Sequence, residues 1–271
     1  MAETLLEARS LSCRFGGLLA VDSLDLAMDK GSLAGLIGPN GAGKTTCFNM
    51  LTGRVRPSAG RIKFKGQAIG GLKPSRINHL GMARTFQNIR LFDELTVMEN
   101  VLVGFHGGLK ANFLSAIFRL PGYRREERLM HSRGEELLDL VGLAAISQER
   151  ARNLAYGQQR LLEIARALAT GPELILLDEP AAGMNANETA NLARLVRRLR
   201  DEMGLTVLLI EHDMRFVMNL CETLTVLDHG KVIARGTPQE VQSNAAVIEA
   251  YLGAEVKAHQ PGDPQGEGGH A

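Results

Sequence analysis

Residues 33–46 read Leu33-Ala34-Gly35-Leu36-Ile37-Gly38-Pro39-Asn40-Gly41-Ala42-Gly43-Lys44-Thr45-Thr46, a short apolar run that opens into a glycine-rich turn. The run Leu33 to Ile37 has no polar position, as expected of a central strand covered on both faces. Gly38, Gly41 and Gly43 let the backbone turn with its N–H groups inward, because a Cβ there would block the approach of an anion. Lys44 adds a positive charge for the β/γ-phosphates, and the Thr45 hydroxyl is placed for Mg2+. From Thr46 the chain continues as a helix whose positive end faces the ligand. Residues Gly38, Pro39, Asn40, Gly41, Ala42, Gly43, Lys44, Thr45 and Thr46 are thus predicted to bind a nucleoside triphosphate.

Upstream, Leu19 to Met28 alternates apolar and polar residues like a half-buried strand, so two sheet environments are expected. Downstream, the helix closes at Gly53 and Pro57, and Gly60 to Gly66 reads as another short strand. From 92 to 155 the chain turns helical and charged, which predicts an inserted helical subdomain between segments 1–91 and 156–253. Its candidate core positions are Val97, Val101, Leu102 and Phe105, with a second apolar run at Phe113 to Phe118. Beyond 156, helix and strand alternate: Leu174 to Leu177 and Thr206 to Ile210 are buried-strand runs. Leu192, Leu195, Val196, Leu199 and Met203 mark one face of a helix that Gly204 caps. Thr223 to Leu227 and Lys231 to Ile233 flank Asp228-His229-Gly230 as a hairpin. The class is α/β with a parallel core, and 254–271 is expected to be disordered.

The chain has 271 residues, 45% of them hydrophobic, which is ample for a folded core. Lys+Arg 31 against Asp+Glu 30 leaves a formal net charge of +1, so no global field draws it to nucleic acid. The three cysteines, Cys13, Cys47 and Cys221, form no Cys-x-x-Cys pair, which favours reduced thiols over a zinc or disulfide framework. No run of about 18 apolar residues occurs, and the N-terminus lacks a basic-then-apolar leader. A membrane role is therefore expected to come through a partner.

Asp178-Glu179-Pro180 ends the buried strand Leu174 to Leu177. A carboxylate there, Asp178, can hold the Mg2+ shell, and Glu179 can orient and polarise an attacking water. Asn153-Leu154-Ala155-Tyr156-Gly157-Gln158-Gln159-Arg160 opens an amphipathic helix, whose free first amides form a second anion site. With Gln87 in Arg84-Thr85-Phe86-Gln87-Asn88 and His212 after the strand Thr206 to Ile210, the order and spacing of these segments resemble the ATP-binding-cassette (ABC) ATPases.

That resemblance covers about Leu5 to Leu252 and implies a P-loop ABC ATPase fold within 1–253. It has a RecA-like mixed or parallel sheet core, an N-terminal antiparallel β-subdomain and an inserted α-helical subdomain. It implies ATP and Mg2+ as ligands. Gln87 would be the glutamine that senses the metal and γ-phosphate, His212 the switch histidine, and Phe15 the aromatic that stacks on adenine. Tyr156, Gly157 and Gln158 would close over the γ-phosphate held by the opposite subunit. Catalysis would fall to Lys44, Gln87, Glu179 and His212, and the metal to Thr45, Gln87 and Asp178.

Two departures narrow the family. Ala155 and Tyr156 stand where the signature usually has serine and its first glycine, and Asn185 stands where the D-loop usually ends in Asp. With Arg14-Phe15-Gly16-Gly17, Asp178-Glu179-Pro180-Ala181-Ala182-Gly183 and Ala250-Tyr251-Leu252-Gly253, these resemble the LivG-type ATPase subunits of branched-chain amino acid importers. The branch implies a heterodimer with a second ABC ATPase subunit, beneath two transmembrane permeases served by a periplasmic binding protein, with no nucleic acid. It would sit on the cytoplasmic face of the inner membrane, peripheral through the permeases. Within the branch the cargo stays open, since related cassettes serve urea, amides or aromatic acids. A soluble nucleotide-gated scaffold and a P-loop kinase are the alternatives from other classes.

Overall fold

In the computed structural model, which describes residues 3–105 and 121–258, strand β3 (Leu33–Ile37) is buried at every position. It joins β6 (Met82–Arg84), β7 (Leu174–Asp178), β8 (Thr206–Ile210), β9 (Thr223–Asp228) and β10 (Lys231–Gly236). Their order across the sheet is β10-β9-β3-β8-β7-β6. The β6–β7, β7–β8, β8–β3 and β3–β9 ladders are parallel, and the terminal hairpin β9–β10 is antiparallel. Alternate residues feed two cores. Leu33, Ile175 and Val207 face one, while Leu36, Leu176 and Leu208 face the other. Each such side chain contributes about 1.5–3 kcal/mol on full burial, and in β7 and β8 the polar residues, Asp178 and Thr206, stand only at the strand ends. That is why these strands read as unbroken apolar runs.

A second sheet, formed by β1 (Thr4–Phe15), β2 (Leu18–Asp29), β4 (Ala59–Phe64) and β5 (Gln67–Ala68), is antiparallel in the order β2-β1-β4-β5. With α1 (Lys44–Leu51) it covers one face of the central sheet. Strand β1 is not delimited by sequence periodicity, and its register explains why. The ladder with β2 shifts between Ala8 and Leu11, where Ser10 has φ +46, so the period-2 pattern is broken by a bulge.

The other face carries helices. They are α3 (Val97–Phe105), α4 (Pro121–Leu140), α5 (Tyr156–Leu168), α6 (Ala186–Asp201), α7 (Met214–Leu220), α8 (Pro238–Gln242) and α9 (Ala245–Ala258), whereas the short α2 (Pro74–His79) buries Ile77 in the core beneath the antiparallel sheet. Helix α3 lies directly on α5, because a Cβ on Gly104 would stand 2.4 Å from the Arg166 carbonyl oxygen. Val97 and Val101 are buried there, and Leu102 and Phe105 pack partly buried against the same core as Leu162 and Ala165 of α5. Helix α5 therefore packs with the helical insert as well as with the sheet.

Two features differ from the sequence expectations. Met203 is 48% exposed and does not share the buried face of Leu192, Leu195, Val196 and Leu199, because α6 ends at Asp201 and Gly204, at φ +66, turns the chain away. Helix α9 runs to Ala258, so 254–258, expected in a disordered tail, is helical. Ala254, Glu255, Lys257 and Ala258 are good helix formers that extend a helix already anchored by Val247. The remainder of that tail, 259–271, and the run Phe113 to Phe118 lie outside the described residues. Among the described residues no helix is long and apolar enough to cross a membrane. Cys13, Cys47 and Cys221 are buried and unpaired, and burial pushes the Cys47 and Cys221 thiols up to about 12.

Candidate functional site

The turn after β3 is wedged between two strands. Gly38 has φ +148, and a Cβ on it would lie 2.0 Å from the Leu227 carbonyl oxygen of β9. Gly43, at φ +102, would bring a Cβ within 2.5 Å of the Ala20 oxygen of β2. The β9–β10 turn supports the loop from outside, with Gly230 N donating to Ala42 O at 2.9 Å and Asp22 N donating to Gly230 O at 2.8 Å. In that turn His229 and Gly230 both have positive φ, +43 and +80, as a two-residue hairpin of this hand requires. Helix α1 starts at Lys44 with no side-chain cap, so its first amides face outward for an anion.

Lys44 is almost buried, and its Nζ donates to Gly38 O at 2.7 Å and Pro39 O at 2.9 Å. Burial lowers its pKa, while the charges of Glu179 and Asp178 pull it back up. An ammonium has three donors, and two of them fix its position here.

At the end of β7 the Asp178 side chain is 1% exposed, and its Oδ2 accepts from Arg84 Nη2 at 2.7 Å. Arg84 also donates to Asn49 Oδ1 at 2.8 Å and Thr52 Oγ1 at 3.2 Å, both on or just after α1. The second carboxylate oxygen, Asp178 Oδ1, is buried with no hydrogen-bond partner. A buried anionic oxygen without a donor is costly, and a hard divalent cation would satisfy it. The exposed Thr45 hydroxyl and the Gln87 amide oxygen, both lining the cavity, are hard oxygen donors of the kind Mg2+ takes. Among the described residues no group of three His, Cys, Asp or Glu forms a metal cluster.

Glu179 sits just past the strand at φ +48, a conformation uncommon for a non-glycine residue. Its amide donates to Ile210 O at 2.9 Å. Its Oε2 accepts from Gln87 Nε2 at 3.1 Å and lies 3.8 Å from His212 Nδ1. A cavity of about 510 Å3 opens over this arrangement. Phe15, Asn40 to Thr46, Gln87 and Glu179 line it, and so does His229. Gly38 and Pro39 lie behind the cavity as the acceptors for Lys44, while His212 flanks it. A larger hollow of about 680 Å3 lies among α3, α4, α5 and α6 and contains none of these groups.

Tyr156, Gly157 and Gln158 lie outside the cavity, at the start of α5. Ala155 has no capping oxygen, and Gln158 Oε1 instead accepts from Ala155 N at 3.0 Å. The turn packs on the loop after β7. Gly183, at φ +76, would bring a Cβ within 3.0 Å of Tyr156 Cε1, and a Cβ on Gly157 would stand 2.6 Å from Glu188 Oε1. Asn185 caps α6, its side chain accepting from the amides of Asn187 and Glu188. The predicted residues therefore form two groups: a nucleotide-sized pocket, with Asp178 and His212 next to Glu179 but outside its lining, and the start of α5, where Tyr156 is exposed and Gly157 buried. Sequence reading missed His229, visible only as a turn residue, and Arg84, visible only as a neighbour of Gln87.

Glu211, buried beside this site, accepts from Ala181 N at 2.7 Å. Burial pushes its carboxyl above the usual 4.5, with the Ala181 amide and His212 acting against the shift. The folded chain therefore holds this proton better than the unfolded one. The associated stability is fully present below the unfolded pKa and is lost as pH rises through the folded one. Glu211→Gln keeps an oxygen for Ala181 and removes that loss. Its denaturant midpoint is expected to exceed the wild type's at about pH 8 and to converge with it near about pH 4. A lower midpoint at the higher pH would show that the ionised carboxylate is needed.

Residues 21–182 match the family described as ABC transporter, and residues 231–257 match the branched-chain amino acid ATP-binding cassette transporter family. The chain is 47% identical over 253 residues to the high-affinity branched-chain amino acid transport ATP-binding protein BraF of Pseudomonas aeruginosa, covering 93% of this chain and 99% of that one. Identity to LivG of Escherichia coli K12, which carries the same description, is 46% with the same coverage. A crystal structure of the ADP conformation of an ATP-binding cassette of an ABC transporter superposes with a TM-score of 0.81 at 32% identity, over 92% of this chain and 99% of that one.

Proposed function

The chain belongs to the ATP-binding proteins of ABC transporters, and from that premise we propose that it is the ATP-hydrolysing subunit of an importer of branched-chain amino acids. The observation that carries this reading is the division of the site. Lys44, Glu179 and Gln87 line one cavity, with Asp178 buried next to Glu179 at the end of β7, while the Tyr156–Gln158 turn lies outside it with Tyr156 at the surface. The cavity offers donors to one side of a nucleotide and the start of α5 offers amides to an anion, so the two are complementary parts of one composite site. Two ATPase subunits placed face to face complete both.

In this reading Phe15 stacks on the base, and the amides of Asn40 to Thr46 hold the phosphates. Lys44 stabilises charge on the γ-phosphoryl group. Glu179 orients the attacking water and accepts its proton, Gln87 holds Glu179 in place, and His212 steadies the same carboxylate. Thr45, Asp178 and Gln87 hold Mg2+, which when bound neutralises developing phosphate charge. The amides at Gly157 and Gln158 serve the nucleotide of the partner. ATP joins the two faces, and its hydrolysis releases them, which rocks the permeases.

The partners are a second ATPase subunit and two permeases, with a periplasmic binding protein upstream. The chain lies on the cytoplasmic face of the membrane through them. Purification from detergent-solubilised native membranes followed by mass spectrometry tests this. A second ATPase and two permeases should copurify, and amino acid uptake should fail when this chain is deleted. Recovery from the soluble fraction alone would overturn the transport reading while leaving the ATPase. Loss of urea or amide uptake instead would reassign the cargo.

A further inference from the structure

Tyr251 lies on α9 and does not line the nucleotide cavity. Asn244 caps this helix, its Oδ1 accepting from Ala246 N at 2.9 Å and Val247 N at 3.3 Å. Val247 is buried, and Tyr251, one turn further along the same face, packs partly buried against the core that holds Leu224 and Val226 of β9. The helix thus carries the Tyr251 hydroxyl inward, where it is buried with no hydrogen-bond partner among the described residues. An orphaned buried hydroxyl is costly. The amide turned toward it is that of Gly38, at the exit of β3: burial pushes the Tyr251 hydroxyl up to about 12, and the Gly38 N–H acts against that shift.

Gly38 is confined on its other sides. Its carbonyl accepts from Lys44 Nζ at 2.7 Å, and the Leu227 oxygen of β9 lies 2.0 Å from where a Cβ would stand. It joins a strand buried at every position to a turn in which Gly41 and Gly43 also have positive φ. A phosphate seated in such a turn fixes its amides, and hydrogen bonds that are misaligned in an empty site tighten when the ligand binds. We propose that Tyr251 is a positioning residue for the phosphate turn: nucleotide binding completes a hydrogen bond from the Gly38 amide to the Tyr251 hydroxyl, so that docking of α9 and occupancy of the Lys44 pocket favour each other. The inference rests on the nucleotide-site reading above. Coupling of this kind is reciprocal, so it has a readout at each end. The orphaned hydroxyl also gives it a distinctive sign. Removing the oxygen relieves the nucleotide-free chain and penalises the nucleotide-bound one, which loss of packing alone would not do.

Titration calorimetry of the isolated full chain with Mg-ADP, paired with denaturant unfolding of the nucleotide-free chain, tests this. Tyr251→Phe keeps the ring and removes the oxygen. It should weaken Mg-ADP binding by about two- to tenfold, the range of one net hydrogen bond, while the unfolding midpoint without nucleotide stays at or above that of the wild type. Hydrogen–deuterium exchange reads the other end: Mg-ADP should slow amide exchange at 247–251 in the wild-type chain and leave it unchanged in Tyr251→Phe. Wild-type affinity for Mg-ADP in Tyr251→Phe would overturn the inference, as would a loss of affinity accompanied by a lower midpoint, or a wild-type chain that binds Mg-ADP without any response at 247–251. Absence of Mg-ADP binding to the wild-type chain would show that the nucleotide-site reading has failed and would take this inference with it.

Discussion

Glu179→Gln is expected to bind ATP normally and to lose turnover by about 10²–10⁴-fold, the usual contribution of a general base. The structure allows a clean substitution. Glu179 holds its position through its backbone, with φ +48 and an amide donating to Ile210 O, and a glutamine oxygen can still accept from Gln87 Nε2. What disappears is the carboxylate proposed to take the proton from water. ATP should then remain between the two subunits, so a long-lived closed dimer should appear on size-exclusion chromatography with ATP and not with ADP. Single-turnover hydrolysis measures the rate directly. Turnover close to wild type would remove Glu179 from the role of base and point to the phosphate itself as proton acceptor.

Gly38→Ala should have the second large effect, through the backbone. The added methyl would sit 2.0 Å from the Leu227 carbonyl oxygen, and that oxygen cannot retreat without disturbing β9, which pairs with β3. A clash with fixed backbone belongs among the rare substitutions that cost more than about 4 kcal/mol, and ATP binding should be lost with it. Gly41→Ala is the control. It shares a positive φ, +81, but has nothing within 4 Å of the new Cβ, so only the left-handed conformation is penalised, by about 1–2 kcal/mol. Denaturant unfolding of both variants separates steric from conformational cost. Equal losses would mean that the close approach to Leu227 is relieved at little cost.

Much of the phosphate site is legible in the amino-acid sequence. The glycines, Lys44 and Thr45 are contiguous, and a turn that cradles an anion is made by neighbouring residues with local dihedrals. Asp178 and Glu179 can be placed because an apolar run marks the strand that carries them. Phe15, Gln87 and His212 are legible only through resemblance, since a lone aromatic, glutamine or histidine carries no spacing signal. Arg160 is the opposite case. In sequence it only closes the Asn153–Arg160 segment, yet it is among the most buried side chains of the described residues, its guanidinium donating to the Phe86 and Gln87 carbonyls.

The buried strands, the phosphate turn and the acidic pair follow from local periodicity and from chain neighbours acting on one another. That Arg84 holds one oxygen of Asp178 and leaves the other free, that His229 joins the nucleotide cavity, and that Tyr156 rests on Gly183 depends on the assembled fold. The parallel strand order sets β6 beside β7 and β9 beside β3. Residues far apart in the chain meet only once that order is formed, and nothing in their local sequence specifies the meeting.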